Sequence, residues 1–175
     1  FKQKKISKLV SDFIFITEDK NNYMRIFAKK NNILCFDHDP NIGGRFSIFS
    51  ITSLLPLISI GYSLPKIIKS FIEAKKLFEK NHKDLSKYTS YSIAYEKKFD
   101  LNILVGLSYH DKINAVNEWY RQIFAESLGK NKNAKNYISS YGSIDQHSQF
   151  QLYIDGPYDK HFNFFKIKNN NKAVN

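Results

Sequence analysis

Short apolar segments alternate with polar clusters along most of the chain, and their spacing predicts alternating strands and helices. Asp12 to Thr17 and Ile33 to Asp37 are apolar runs of strand length, and a polar cluster that indicates a turn follows the first. Between them, Tyr23, Ile26 and Phe27 recur at helical spacing. This order of strand, helix and strand favours a parallel sheet covered by helices, which is the α/β class.

The middle of the chain is predicted to be helical. The most apolar stretch, Phe46 to Leu64, is interpreted as a buried helix, because its Ser, Thr, Pro and Gly residues make it a poor membrane span. Further helices are expected over Leu64 to Lys80 and over Asp84 to Lys98. Pro40 and the pair Gly43 and Gly44 mark a turn before the first of these helices.

A third strand is predicted from Asn102 to Tyr109, and Asp111 then has the chemistry of an N-cap for a helix over Lys112 to Ser127. The apolar residues of this helix form one stripe at spacings of three and four, namely Ile113, Val116, Tyr120, Ile123 and Phe124. A polar linker is expected from Lys130 to Lys135. A short helix around Gln146 to Ile154 and a last strand over Phe162 to Ile167 complete the prediction.

A second stripe of the Lys112 to Ser127 helix carries Glu118, Gln122 and Glu126. Residues four apart on a helix lie one above the other, so Gln122 and Glu126 are expected to point the same way. Together they could contact one small molecule.

The net charge of +11 does not by itself indicate a nucleic-acid partner. Only three of the basic residues are arginines, and the lysines are scattered along the chain. Sites that read phosphates or bases usually rely on the bidentate guanidinium, so a solvated lysine-rich surface is favoured over a nucleic-acid interface. No membrane partner is expected either. A single cysteine, Cys35, excludes an internal disulfide and indicates a cytoplasmic protein.

Three blocks carry candidate chemistry: NIGGRFS with Arg45, NEWYRQIFAESLGK with Glu126, and DQHSQ followed by QLY and DGP with His147. In this order and at these separations they resemble the phosphoglucose isomerase family. The resemblance runs from the first predicted strand to the last. It implies an aldose–ketose isomerase that interconverts glucose 6-phosphate and fructose 6-phosphate through an enediol.

The resemblance assigns a role to each candidate residue. Glu126 is similar to the carboxylate that moves the proton between neighbouring carbons, and general bases of this kind contribute about a hundred- to ten-thousand-fold. Arg45 is similar to the arginine that stabilises the enediolate. His147 resembles the histidine that opens the sugar ring. Gln122 matches a substrate contact, and the backbone of Gly43 and Gly44 is expected to line the pocket.

The resemblance also implies architecture and partners. We expect a three-layer helix, sheet and helix sandwich of the sugar isomerase (SIS) type, with a mostly parallel sheet. Residues 1–40 would end a first sugar isomerase half-domain, and residues 41–175 would form most of a second. A homodimer in which the histidine comes from the neighbouring subunit is implied. No metal or organic cofactor is needed for proton transfer between adjacent carbons.

Two parts of the family pattern are missing from the sequence. The Ser/Thr-rich loop that binds the phosphate at a helix N-terminus would lie upstream of Phe1. A catalytic lysine near the C-terminus of the family is also absent, since Lys168 and Lys172 do not resemble its surroundings. We therefore expect a chain that is incomplete at both ends and holds part of an active site.

Alternative functions remain open at this point. A bifunctional relative that also accepts mannose 6-phosphate is the nearest alternative, and pocket residues near the second carbon of the substrate decide between the two. A sugar-phosphate-binding module that senses rather than converts would have no need of Glu126, so a carboxylate, an arginine and a histidine together favour catalysis. A basic nucleic-acid binder is third, and retention on heparin at physiological salt would support it.

Overall fold

The computed structural model describes residues 12–130, 132 and 134–167. They form a mixed α/β protein in which parallel strands are flanked by helices, which confirms the predicted fold class. The chain divides into two compact units, Phe1–Lys76 and Leu77–Asn175. The expected boundary after residue 40 is one between sugar isomerase domains, not between compact units. It stays a prediction.

Two parallel strands and the helix that connects them form the first part of unit 1. Strand β1 (Ile14–Glu18) pairs with β2 (Leu34–His38). Helix α1 (Tyr23–Asn31) crosses between them, as parallel pairing requires. The buried residues Ala28 and Ile33 lie where the helix ends and β2 begins.

Polar residues define both ends of α1 and fix it to the strands. The Asn22 side chain accepts a hydrogen bond from the Arg25 amide at 3.0 Å, which caps the first turn. Asn32 ends the helix in the left-handed conformation with φ of 54°. The Arg25 guanidinium donates to the Glu18 carbonyl and, at 2.6 Å, to the Asp37 carboxylate, so it links the ends of β1 and β2.

The apolar stretch after β2 does not form the single buried helix predicted for Phe46 to Leu64. A 3-10 helix (Gly44–Phe49) and helix α2 (Ile51–Ser59) form instead, and neither contains a buried residue among those described. They are separated at Ser50, whose backbone is extended with ψ of 174°. Gly61, with φ of 96°, turns the chain before the next helix.

Helix α3 (Leu64–Lys98) is one continuous helix of 35 residues where two helices were predicted. The expected break at residues 81–83 contains neither glycine nor proline. Asn81 and His82 instead bond to the carbonyls of Leu77 and Glu79 in the preceding turn, so these polar side chains do not interrupt the helix. No helix among the described residues is long and apolar enough to cross a membrane.

A three-stranded parallel sheet forms the centre of unit 2. Strand β3 (Ile103–Ser108) lies between β4 (Asn136–Tyr141) and β5 (Lys160–Phe165). Val105, which is fully buried, pairs with Ile138 on one side and with Phe162 on the other. Strands β3 and β5 confirm the predicted ones to within a few residues. Strand β4 was not predicted.

The two crossover connections of this sheet carry the remaining helices. Helix α4 (Asp111–Leu128) connects β3 to β4, and α5 (Gly142–Ser148) and α6 (Phe150–Asp155) connect β4 to β5. Asp111 is the first helical residue of α4, and the N-cap is His110, whose Nδ1 accepts from the Lys112 amide. The single helix predicted around Gln146 to Ile154 is thus two short helices.

A buried carboxylate joins the end of α3 to this sheet. Glu96 is 8% exposed, and its carboxylate accepts a hydrogen bond from Lys135 Nζ and lies 2.6 Å from His161 Nδ1. Lys135 also donates to the Leu101 carbonyl at 2.7 Å. Burial alone would raise the pKa of Glu96, but the hydrogen bonds from Lys135 and His161 lower it below its usual 4.5.

Because the pKa of Glu96 is lower in the folded chain, its ionisation stabilises the fold above pH 4.5 and stops doing so as the pH falls through the folded value. We predict that Glu96→Gln lowers the free energy of unfolding of the full-length protein by about 2 kcal/mol at neutral pH. Urea unfolding at several pH values measures the difference.

The difference between wild type and Glu96→Gln should shrink as the pH falls below 4.5 and through the lower pKa of the folded state, because the Glu96 carboxyl then becomes neutral as well. Glu73→Gln, an exposed position on the same helix, is the matched control and should change stability by less than about 0.5 kcal/mol. A difference that does not vary with pH would contradict the role assigned to the Glu96 carboxylate.

Candidate functional site

Helix α4 brings Gln122 and Glu126 together as the sequence predicted. The Gln122 side-chain amide donates to Glu126 Oε1 at 2.9 Å, and both side chains are exposed. The pair is possible because residues four apart meet on a helix surface. The helix ends after this pair at its C-cap, Gly129, whose amide donates to the Ala125 carbonyl.

An open cleft of about 710 Å³ lies between α4 and the start of β4. Its polar lining includes two carboxylates, two cations, two amides and a phenol, contributed by Glu118, Glu126, Arg121, Lys135, Gln122, Asn136 and Tyr137. A ligand in this cleft would meet both proton-accepting and positively charged groups. Such a lining suits a small polar ligand.

The two carboxylates of the cleft have different hydrogen-bond partners. Glu118 Oε2 lies 2.6 Å from Arg121 Nη2, and Glu118 Oε1 accepts from the Tyr141 hydroxyl at 2.8 Å. The hydrogen bond to Glu118 raises the pKa of Tyr141 above its usual value, because loss of the phenol proton would leave two like charges together. Glu118 is thus committed to structural contacts, whereas Glu126 Oε1 is bonded to Gln122.

His147 lies in the last turn of α5 and is exposed. The helix that carries it begins at Gly142, where an added Cβ would collide with the Tyr109 ring unless that ring moved. His147 is not part of the cleft lining around Glu126. Its assignment as the ring-opening group stays a prediction.

Asp145 fixes the helix of His147 to the end of β4. Its carboxylate accepts hydrogen bonds from the Ser140 hydroxyl at 2.7 Å, the Tyr141 amide at 2.6 Å and the Ser148 hydroxyl at 3.0 Å. Burial alone would raise the pKa of Asp145, but these three hydrogen bonds lower it below its usual 3.8.

Arg45, Gly43 and Gly44 lie in unit 1, at the start of the 3-10 helix. The Arg45 guanidinium lies 4.8 Å from the centre of the Phe46 ring. An added Cβ at Gly44 would meet no atom within 4 Å, so packing among the described residues does not require glycine there. Whether Arg45 shares a site with Glu126 stays a prediction.

Sequence reasoning missed several polar residues of unit 2 around the candidate site. Asn117, Tyr137, Lys135, Tyr141 and Asp145 all make specific side-chain bonds. Asn117 could have been found, because it occupies the apolar stripe of α4, where an amide needs partners. The others lie in or beside β4, a strand that had not been predicted.

The described residues contain no group of three or more His, Cys, Asp or Glu side chains that could hold a metal ion. The cleft itself offers acid–base groups, hydrogen-bond donors and positive charge. These are the groups that proton transfer on an anionic substrate requires.

Fold and cleft together define a parallel α/β protein with a cleft of ionisable and polar side chains beside the sheet of unit 2. No profile of a known protein family matches the chain. Among curated proteins, it is 36% identical over 172 residues to the glucose-6-phosphate isomerase of Campylobacter jejuni, in an alignment that covers 96% of this chain and 42% of that protein. It is also 36% identical over 174 residues to the glucose-6-phosphate isomerase of Methanocaldococcus jannaschii, with 95% and 42% covered.

A solved structure shares the fold. The crystal structure of a hypothetical protein from Thermus thermophilus superimposes with a TM-score of 0.75 at 26% identity, over 90% of this chain and 39% of that one. The chain is homologous to part of the glucose-6-phosphate isomerases, which confirms the resemblance seen in its motifs. It spans about two fifths of the length of these relatives.

We predict that Asp145→Asn loosens α5, because an amide offers one acceptor oxygen where the carboxylate accepts three hydrogen bonds. Stability should fall by about 1–2 kcal/mol, and hydrogen exchange over residues 141–148 should become faster. Exchange measured by mass spectrometry on the full-length protein tests this.

Asp155→Asn is the matched control for this variant. The Asp155 carboxylate is exposed and bonds to the Gln151 side chain one turn earlier on α6. Its replacement should leave exchange over residues 141–148 unchanged. Equal exchange in the two variants would contradict the role of Asp145.

Proposed function

We propose that the chain contributes part of the active site of a glucose-6-phosphate isomerase, which interconverts glucose 6-phosphate and fructose 6-phosphate. The observation that carries this proposal is the Gln122–Glu126 pair in the charged cleft of α4. Homology to curated glucose-6-phosphate isomerases over nearly the whole chain supports it. The activity belongs to glycolysis and gluconeogenesis, and we place the protein in the cytoplasm.

Glu126 is the proposed proton carrier. An aldose becomes a ketose when a proton leaves C2 and returns at C1, with an enediol between the two steps. One carboxylate that reaches both carbons can accept and return that proton. The hydrogen bond from the Gln122 amide supports this role, because it holds one Glu126 oxygen and so limits the rotation of the carboxylate.

Arg45 is the proposed cation beside the enediolate oxygen, where a fixed positive charge lowers the barrier. The open space at Gly44 supports an approach of the substrate to the backbone there. Gly43 and Gly44 would then line the pocket. An added Cβ at Gly43 would lie 3.7 Å from the Phe46 ring, which is an ordinary contact distance. Convergence of Arg45 with Glu126 is part of the proposal.

His147 is the proposed acid–base group that opens the sugar ring. Its exposed position on α5 supports access from another molecule, and we propose that it serves the active site of the partner in a homodimer. The Asp145 hydrogen bonds would keep its helix in place for that task. Proton transfer of this kind uses side-chain acids and bases, so we propose no metal or organic cofactor.

The architecture proposed for the whole protein is the three-layer sugar isomerase type. Residues 1–40 would then end one half-domain, and residues 41–175 would form most of the second. In this arrangement the phosphate-binding loop and a further lysine come from parts of the family pattern that this sequence does not contain. The three blocks centred on Arg45, Glu126 and His147 supply the rest.

We predict that Glu126→Gln in the full-length protein lowers kcat for fructose 6-phosphate at least about a hundredfold, because an amide cannot accept the proton. Substrate affinity should stay within about tenfold, since shape and hydrogen-bonding capacity are retained. A coupled assay of glucose 6-phosphate formation and calorimetric binding measure the two quantities.

Glu118→Gln is the discriminating control, because Glu118 lines the same cleft on the same helix but is bonded to Arg121 and Tyr141. It should retain at least about a tenth of the wild-type kcat. Full turnover in Glu126→Gln would overturn the assignment of the base. An equal loss in both variants would show that the charge of the cleft matters rather than one carboxylate.

A further inference from the structure

A buried amide lies on the inner face of the helix that carries Glu126. Asn117 is 1% exposed and falls on the apolar stripe of α4, between Ile113 and Tyr120. A side-chain amide in this position costs free energy unless its donors and acceptor are bonded. Its partners therefore indicate what the residue does.

Asn117 joins three elements of unit 2. Its Nδ2 donates to the Gly106 carbonyl of β3 at 2.7 Å, and its Oδ1 accepts from the Tyr137 hydroxyl of β4 at 2.5 Å. Both bonds run from one side chain of α4 to two neighbouring strands. Helix α4 is thus held at a set distance from the sheet and in a set rotation about its own axis.

Gly106 provides the space for this bridge. An added Cβ at position 106 would collide with the Tyr137 hydroxyl and would lie 2.5 Å from Asn117 Oδ1. Glycine in the interior of a strand is unfavourable by itself, so its presence in β3 has a local cause in this close approach.

Tyr137 connects the bridge to the cleft. Its ring packs edge-on against Tyr120 at 5.1 Å and lies 5.6 Å from Phe124, and it also lines the cleft that contains Gln122 and Glu126. Burial raises the pKa of Tyr137 well above its usual value. The hydroxyl therefore remains a hydrogen-bond donor at any physiological pH.

We propose that Asn117 is a positioning residue, which through its bonds to Gly106 and Tyr137 sets the rotation of α4 and directs the Gln122–Glu126 pair into the cleft. The inference rests on the proposed function of this cleft. Glu126 lies nine positions after Asn117, and at 100° per residue the two side chains lie on opposite sides of the helix, about 13.5 Å apart along its axis.

Small rotations of α4 would matter for the proposed chemistry. A side-chain tip about 5–6 Å from the helix axis moves by about 1 Å when the helix turns by about 10°. A displacement of about 1 Å between a catalytic group and its substrate can cost about a hundredfold in rate. One hydrogen bond at Asn117 can therefore affect turnover without any contact to the substrate.

The test is Tyr137→Phe, which removes one hydroxyl and keeps the ring, in the full-length protein. We expect kcat for fructose 6-phosphate to fall at least about tenfold, with KM within about threefold, because positioning is lost and substrate binding is not. Hydrogen exchange over residues 117–128 of α4 should become at least about threefold faster.

Ser108→Ala is the matched control. Ser108 is 1% exposed and donates to Asn114 Oδ1 at 2.5 Å, so it also joins β3 to α4, but it is not part of the Asn117 bridge or of the cleft lining. It should lose a comparable amount of stability, about 1 kcal/mol, while kcat stays within about twofold. Its effect on exchange should be confined to the first turns of α4.

The outcomes separate this proposal from the proposed function. Wild-type kcat and wild-type exchange in Tyr137→Phe, or equal changes in both variants, would overturn the role of Asn117. A wild-type protein with no isomerase activity would overturn the proposed function alone. The exchange comparison would still decide whether the Asn117 bridge holds the second half of α4.

Discussion

The parallel pairing of β3 with both β4 and β5 is the constraint on which the rest of unit 2 depends. Parallel neighbours cannot be joined by a tight turn, so each connection must cross the sheet through a longer segment. The first crossover is α4, with Gln122 and Glu126, and the second contains α5, with His147. The candidate residues of this unit therefore lie on segments that the strand order makes necessary.

Polar contacts between these crossovers and the sheet then decide where each helix lies. Asn117 and Asn114 bind α4 to β3, Asp145 binds α5 to the end of β4, and Glu118 reaches the Tyr141 hydroxyl of β4. Apolar burial in unit 2 is concentrated in β3, while most large apolar side chains elsewhere in the described chain are partly exposed. Directional hydrogen bonds therefore determine much of where each crossover helix lies on the sheet.

The sequence allowed the apolar strands and the amphipathic α4 to be predicted, because their periodicity follows directly from burial on one side. It did not reveal β4, whose residues Asn136, Ser139, Ser140 and Tyr141 are polar or amphipathic and form no apolar run. The prediction for Phe46 to Leu64 was wrong in a different way. Its apolar composition predicted one buried helix, but the described residues form a 3-10 helix and a short α-helix without buried residues. The prediction of two helices in place of α3 failed because a polar interval was taken for a break.

The candidate site could likewise be predicted only where it depends on local spacing. The Gln122–Glu126 contact follows from helical spacing alone and is confirmed by their hydrogen bond. Lys135 and Tyr137 join the cleft through the position of β4, which depends on strand pairing between residues more than 30 apart in the chain. Such distant pairings leave no local pattern. The relation of Arg45 to Glu126 is of this kind as well, and it stays a prediction.

The close approach of Tyr137 and Asn117 to Gly106 also limits which substitutions the protein can accept during evolution. A Cβ at position 106 would collide with both the Tyr137 hydroxyl and the Asn117 side-chain oxygen, so both groups would have to move or be lost. Loss of the hydroxyl alone would leave the Asn117 amide with an unbonded oxygen. The three positions should therefore show strong epistasis. A substitution at one of them should be tolerated better in backgrounds where its partner has already changed.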